Sequence, residues 1–404
     1  MGRNYKEKYK HNSPGILRIK YWETYFNMAI SPIKQTLLFV YPSTNSIWIS
    51  QINELIRTTP HKIHLVSDAC RPKNLSSQVS YTRLKKLTLG VDMINKILPL
   101  EIPVPAVYLG LRRFLNKVNP TTVVVMDFYN PYFFQIRRYI TATPSTKLFL
   151  YTEFKQLPSK ALVRYLTRAY IALTLKALSR LDGLICLTKQ GQNFWRKKGL
   201  TNTHVCEAGI SPISVPAKVR RPFLERGQLK ILVPARMVPF KRHIDILHAF
   251  EILKRKELYF SATFIDDEGV FSRKIRRLTC ELGLQSYISF IHTVQKKEMK
   301  ALYRSHDVIV LASDNEALGL VVPESMANGT PTITSDSVGA NTYVRPGSTG
   351  LIFRTGDRKD LAYQLEKLFD KSLLEQFHKS SIREIRKYTG QSIGQKLNRI
   401  LFHG

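Results

Sequence analysis

Short apolar, β-branched runs alternate with amphipathic helical stretches along this chain, and the alternation occurs as two successive series. In the first, "TLLFVY" (36–41), "KIHLVS" (62–67), "TTVVVMD" (121–127), "KLFLYT" (147–152), "GLICLT" (183–188) and "HVCEA" (204–208) read as strands. After a proline-bearing basic stretch, "SPISVPAKVRRPFLERGQ" (211–228), the pattern restarts with "KILVPA" (230–235), "FSATFI" (260–265), "ISFIH" (288–292), "VIVLAS" (308–313), "TPTITS" (330–335) and "GLIFR" (350–354). Strands separated by periodic helices such as "HIDILHAFEILKRK" and "KKEMKALYRSH" predict parallel sheets built from right-handed βαβ units. Two such series predict an α/β chain of two doubly wound domains. The ligand site is then expected in the cleft between them, at the carboxyl ends of the strands. The expected division is a basic, aromatic segment at 1–32, a first domain at 33–213, a second at 214–385, and a final helix in 386–404 that can return to the first domain.

Charge divides along the same line. The 404 residues carry 62 Lys and Arg against 30 Asp and Glu, a net +32. Residues 1–220 hold 33 and 10, whereas 221–404 hold 29 and 20. A net +23 in the first half predicts an anionic partner there: membrane headgroups, an acidic substrate or nucleic acid. A hydrophobic content of 44% argues against disorder. The four cysteines (Cys70, Cys186, Cys206, Cys280) are far apart, which disfavours zinc or a disulfide framework and suits a reducing cytosol. His61 and His64 read as structural or exposed residues rather than metal ligands. The N-terminus lacks the apolar core of a signal peptide, and "AYIALTLKALSRLDGLICL" is broken by Lys176, Arg180 and Asp182, so no transmembrane helix and a cytoplasmic location are expected.

Within this acid-poor chain, "LASDNEALGLVVPESMANGTPTIT" (311–334) sets Glu316 and Glu324 eight positions apart among apolar and small residues. "VIVLAS" predicts a buried strand ending near Ser313, and Pro323 predicts a helix from about that residue to Gly329. Glu316 then lies in the loop above a strand end and Glu324 in the first turn of the helix. Gly319 lets the backbone approach a ligand closely, and amides at a helix start favour an anion. Two carboxylates flanking amide donors would suit a polyhydroxylated diphosphate. The plainer readings are dipole stabilisation for Glu324 and a solvated loop acid for Glu316. Independently, "LVPARMVPFKR" places Arg236 after a strand and Lys241 at the start of the next helix, where both can neutralise a diphosphate.

In this order the two clusters resemble the retaining glycosyltransferases of family 4, which have the GT-B fold of two Rossmann-like domains facing a central cleft. Arg236 and Lys241 match the family's basic pair, with Ala235 where a glycine is usual. Ser313, Glu316, Gly319, Glu324, Ala327, Gly329 and Pro331 match its signature, and "VRPGSTGLIF" matches the segment after it. The match covers about residues 180–400, while the first 150 residues match only in element order. The resemblance implies that Glu316 binds donor-sugar hydroxyls, with the amides of Ala317, Leu318, Gly319 and Leu320 nearby. It implies that Glu324 holds the ribose and that Arg236 and Lys241 stabilise the leaving diphosphate of a UDP- or GDP-sugar. It implies no metal, because the basic pair replaces it, and no separate cofactor. It implies no protein nucleophile, because the donor phosphate helps to deprotonate an acceptor attacking from the same face. There are departures. Glu153 stands where a His is common, "YPSTNS" replaces a glycine-rich turn, "FIDDEG" reads as a solvated turn in place of Gly-x-Gly, and Asn341 replaces a frequent Glu.

The first domain of such an enzyme binds the acceptor, and it carries most of the charge here. "GILRIKYWETYFNMAIS" sets Ile19, Trp22, Phe26 and Ile30 at helical spacing. "KALVRYLTRAYIALTLKALSR" sets Lys160, Arg164 and Arg168 beside Leu162, Tyr165, Leu166 and Tyr170. Either helix could lie on anionic lipid or pack on the domain core. The favoured acceptor is a lipid-linked or lipopolysaccharide- or capsule-type glycan at the cytoplasmic membrane face. The competing readings are a nucleic-acid-binding protein, for which no motif is present, and a non-catalytic scaffold.

Overall fold

Both series of apolar runs form parallel sheets in the computed structural model, which describes residues 35–41, 46–88, 106–126, 128, 130–154, 157, 161–210, 223–266, 268–292, 294–295 and 298–403. The first series gives β1 (Thr36–Val40), β2 (Lys62–Ser67), β3 (Ser80–Arg83), β4 (Lys86–Thr88), β5 (Ala106–Tyr108), β6 (Thr122–Met126), β7 (Lys147–Thr152), β8 (Gly183–Cys186) and β9 (Thr203–Val205). Seven of these form a sheet in the order β3-β2-β1-β6-β7-β8-β9, with β4 and β5 as a separate antiparallel pair. The second series gives β10 (Leu229–Val233), β11 (Phe260–Asp266), β12 (Ile288–His292), β13 (Val308–Leu311), β14 (Thr332–Ser335) and β15 (Gly350–Phe353), in the order β12-β11-β10-β13-β14-β15.

In each sheet the strand order reverses once, between β1 and β6 and between β10 and β13. Such a reversal splays the loops at the carboxyl edge and opens a crevice there. Residues such as Val123, Val124 and Val125 in β6, and Val308, Ile309 and Val310 in β13, have no exposed surface, because helices cover both sheet faces.

The two carboxyl edges face one another. Gln190, just beyond β8, donates to the carbonyl of Asp336 just beyond β14 at 2.9 Å. The Tyr343 hydroxyl donates to the carbonyl of Ala208 beyond β9 at 3.0 Å. Ile210 pairs with Thr389 where the chain passes twice between the domains. The last helix, Gly390–Phe402, lies against the helix Ser46–Thr58 of the first domain. Asn398 donates to the Thr58 carbonyl at 3.3 Å, and the Phe402 ring centroid is 4.1 Å from that of His61. The approach needs glycine: a Cβ on Gly394 would lie 2.9 Å from the Glu54 backbone carbonyl.

Several expectations shift. The helix after Glu316 spans Val321–Ala327 and so begins before Pro323, because Gly319, at φ 74, turns the chain earlier. Proline is tolerated in a helix's first turn, where amides have no intrahelical partner. Lys241 ends a short 3₁₀ turn, Pro239–Lys241, ahead of the helix His243–Arg255, rather than starting that helix. Asp266 is buried, not in a solvated turn. Burial opposes its charge, but hydrogen bonds from Ser272, the Glu268 amide and Arg276 outweigh this and hold its carboxyl below the usual range. His61 lies just ahead of β2 rather than within it. Residues 1–32, "PSTN" (42–45), Lys160, residues 211–222 and Asp267 lie outside the described residues.

Candidate active site

The site is assembled by the loops leaving β10 and β13, neighbours at the second sheet's switch point. After β10 the chain passes Arg236, makes the 3₁₀ turn and reaches Arg242 in the left-handed region at φ 56. That turn directs Lys241 onto the loop after β13, where its ammonium forms an ion pair with Glu316 Oε2. Ser313 Oγ, at the buried end of the strand, donates to the same carboxylate oxygen at 3.3 Å. The backbones are tied as well, with the Asp314 amide donating to the Phe240 carbonyl at 2.9 Å. Arg242 braces the corner through Asp245 at 2.5 Å and Asp314 at 3.7 Å. Lys241 and Glu316 are each partly buried, so water screens their attraction less than at an open surface.

A third loop presses on the Glu316 backbone. The Gly339 amide donates to the Glu316 carbonyl at 2.9 Å, and a Cβ at position 339 would lie 1.9 Å from the Ala317 carbonyl oxygen. No side chain fits there without moving the loop that carries Glu316. Sequence reasoning did not single out Gly339, although "SVGAN" offered the signal. Asn341 of the same loop accepts from Thr334 at 2.5 Å and donates to the Ser335 carbonyl at 2.8 Å, an arrangement in which its amide organises the loop.

Gly319 then turns the chain into the helix bearing Glu324. Leu318 and Gly319 are buried, while Ala317 and Leu320 are partly exposed. Glu324 Oε2 accepts from the Tyr303 hydroxyl at 3.0 Å. Burial and then the Glu324 charge raise the Tyr303 pKa, so this hydroxyl remains a donor at any ordinary pH. Nothing in the sequence flagged Tyr303, which lies 21 residues before Glu324 and ahead of the motif.

Arg236 is exposed, and among the described residues it makes no ion pair. Its loop leaves the same strand as Lys241, but it does not join the Lys241–Glu316 pair. On the opposite domain, Glu153 lies just past the carboxyl end of β7. It is open to solvent but crowded by protein, and the resulting desolvation raises its carboxyl pKa, partly offset by a hydrogen bond with the Trp48 side chain. No group of three or more His, Cys, Asp or Glu among the described residues is placed to hold a metal ion.

Two doubly wound parallel-sheet domains with facing carboxyl edges form the GT-B fold. Residues 216–387 match the family of glycosyl transferases group 1. A D-inositol 3-phosphate glycosyltransferase from Corynebacterium aurimucosum is 34% identical over 93 residues, which is 23% of this chain and 22% of that protein. The curated match thus spans only about a fifth of its relative's length. Among solved structures, the lipopolysaccharide outer core galactosyltransferase WaaB superposes with a TM-score of 0.67 at 15% identity, covering 91% of this chain and 99% of that one. The Anabaena protein HepE, solved with UDP and glucose, superposes with a TM-score of 0.62 at 14% identity, covering 92% and 100%.

Proposed function

We propose that this chain is a retaining, metal-independent glycosyltransferase that moves a hexose-type sugar from a UDP- or GDP-sugar to a lipid-linked, lipopolysaccharide- or capsule-type glycan at the cytoplasmic face of a membrane. The observation that carries the reading is the meeting of Lys241 and Glu316 at the switch point, with Glu324 in the first turn of the helix that follows. The complex of HepE with UDP and glucose supports the donor class. WaaB, a lipopolysaccharide galactosyltransferase, supports the acceptor class.

In this reading Glu316 accepts hydrogen bonds from the donor's sugar hydroxyls, and the backbone from Ala317 to Leu320 lies against the sugar and phosphates. Glu324 accepts from the ribose hydroxyls, its carboxylate aimed by Tyr303. The C1–O bond to the diphosphate breaks and its electron pair leaves with the phosphate oxygen. Lys241, partly drawn from Glu316, and the exposed Arg236 stabilise the charge that develops there. The acceptor hydroxyl forms the new C1–O bond on the same face and gives its proton to the departing phosphate.

Transfer from a panel of UDP- and GDP-sugars, with nucleotide binding followed by calorimetry, tests this. Lys241→Ala or Glu316→Ala should lower turnover about 10²–10³-fold, with the far-ultraviolet spectrum unchanged. Glu324→Ala should weaken nucleotide binding instead, because a ribose contact is present before and during the reaction. Activity should persist in EDTA. Near-normal turnover in both Lys241→Ala and Glu316→Ala would remove the assignment.

A further inference from the structure

Among the described residues, one helix of the first domain leaves an apolar face without cover. In Ala161–Leu178, the residues Val163, Ile171, Thr174, Ala177 and Leu178 are buried against the domain. Leu162, Leu166, Ala169 and Leu173 follow one another in steps of three or four, and Tyr165 lies three after Leu162 and four before Ala169, so all five share a single face. On that face Leu162 is 56% exposed, Tyr165 71%, Leu166 45% and Leu173 83%. The stripe runs about 16 Å along the helix. An apolar surface of this kind, when contiguous, marks an interaction site.

Charge decides what covers it. From Phe154 to Leu181 the chain has six cations (Lys155, Lys160, Arg164, Arg168, Lys176 and Arg180) and no acid. Arg168, Lys176 and Arg180 are exposed, and none of the three is in an ion pair among the described residues. A second copy of the chain meeting this face about a two-fold axis would set the basic stretch against itself. A nucleic-acid backbone would match the cations but leave Leu162, Leu166 and Leu173 without an apolar environment. An anionic bilayer satisfies both, with headgroups for the cations and an acyl boundary for the leucines. Among the described residues no helix is long and apolar enough to cross a membrane, so the helix lies on the surface rather than through it.

We infer that the outer face of Ala161–Leu178 is the surface by which this protein docks on anionic lipid. The helix follows Glu153 and the carboxyl end of β7, so docking brings the acceptor side of the cleft to the bilayer. The inference deepens the membrane-face part of the proposed function, but its test needs neither donor nor acceptor. Failed lipid binding would therefore leave the transfer reading standing, and failed transfer would leave this one standing.

The test is co-sedimentation of the full chain with phosphatidylglycerol-containing vesicles and with pure phosphatidylcholine vesicles. Wild type should bind the former at least tenfold more tightly. The triple substitution Leu162→Ser, Leu166→Ser, Leu173→Ser should weaken binding more than tenfold without lowering the melting temperature, since these side chains are exposed. Arg168→Gln, Lys176→Gln and Arg180→Gln should each weaken it about fivefold at low salt. Val270→Ser, at an exposed apolar position of the other domain, should change nothing. The inference is overturned by wild-type affinity in the leucine triple variant, or by equal binding to both vesicle types. It is also overturned if that variant alters self-association or DNA retention while sparing lipid binding.

Discussion

In the second domain, acids and cations answer one another. Asp245 lies between Arg242 and Arg358, Asp266 under Arg276, Glu384 between Arg345 and Lys387, and Glu316 against Lys241. Across the cleft the first domain, on the same doubly wound plan, carries a helix with several cations, no acid and an open row of leucines. One fold therefore supports two surface designs. Paired charges fix side chains to within the tolerance of a chemical step, as the three loops converging on Glu316 illustrate. Uncompensated cations beside exposed apolar groups fix no single geometry. They suit a partner that is large, anionic and laterally fluid.

The largest expected effect comes from breaking the helix that crosses between these designs. The helix Gly390–Phe402 is contributed by the end of the chain but rests on Ser46–Thr58. Gly394→Leu forces a side chain into the Glu54 backbone, an overpacking worth about 1–3 kcal/mol or more. Differential scanning calorimetry should show the first domain melting earlier and the second little changed. A uniform shift of one cooperative transition would instead show that the two domains unfold as a unit.

A smaller effect follows from charge pairing. Asp266, Asp360 and Glu384 all have lowered pKa values: burial opposes ionisation, and hydrogen bonds and cations outweigh it. Groups whose folded pKa is depressed contribute stability that is fully present above their unfolded values near pH 4, and this is lost as pH falls through the folded values. The second domain should therefore lose stability more steeply than the first below about pH 4. Arg276→Ala, which leaves the buried Asp266 charge to the Ser272 hydroxyl and the Glu268 amide alone, should lower that domain's melting temperature by about 5 °C at pH 7, and Asp266→Asn should flatten its acid dependence. Equal acid sensitivity in both domains would remove the contrast.

What the sequence made legible follows the same division. The apolar strands stood out because burial on both sheet faces leaves them no polar alternation to confuse, as "KLFLYT" shows by matching β7 residue for residue, with every residue after Lys147 buried. The short β3 and β5, and β4 with its "KLT", went unseen, because a few residues at a sheet edge or in a two-stranded pair carry too little pattern. Glu316, Glu324, Lys241 and Arg236 were visible as a spaced motif. Tyr303 and Gly339 were not, since what makes them matter is a contact across the fold: a hydroxyl on Glu324, and an absent side chain beside Ala317. The exposed face of Ala161–Leu178 was equally hidden. Periodicity identified its apolar residues but could not say which of the helix's faces the domain would cover.

The smallest expected effect concerns Glu153, the acid that the first domain presents near the cleft. Crowding desolvates its carboxylate and raises its pKa, and the Trp48 hydrogen bond only partly restores it. If the ionised group orients an acceptor hydroxyl, kcat/KM should fall as pH drops through a value above the ordinary carboxylate range near 4.3. Glu153→Gln keeps the shape and removes the titration. It should therefore abolish that acidic limb while lowering turnover at pH 7.5 less than about tenfold, well short of the loss expected for Glu316→Ala. A pH–rate profile of the variant identical to wild type would make Glu153 a bystander, and the contrast between the domains would then be complete, with the ionisable chemistry confined to the donor side. A loss as large as that of Glu316→Ala would collapse the contrast from the other direction, by showing that the acceptor side also depends on one fixed charge.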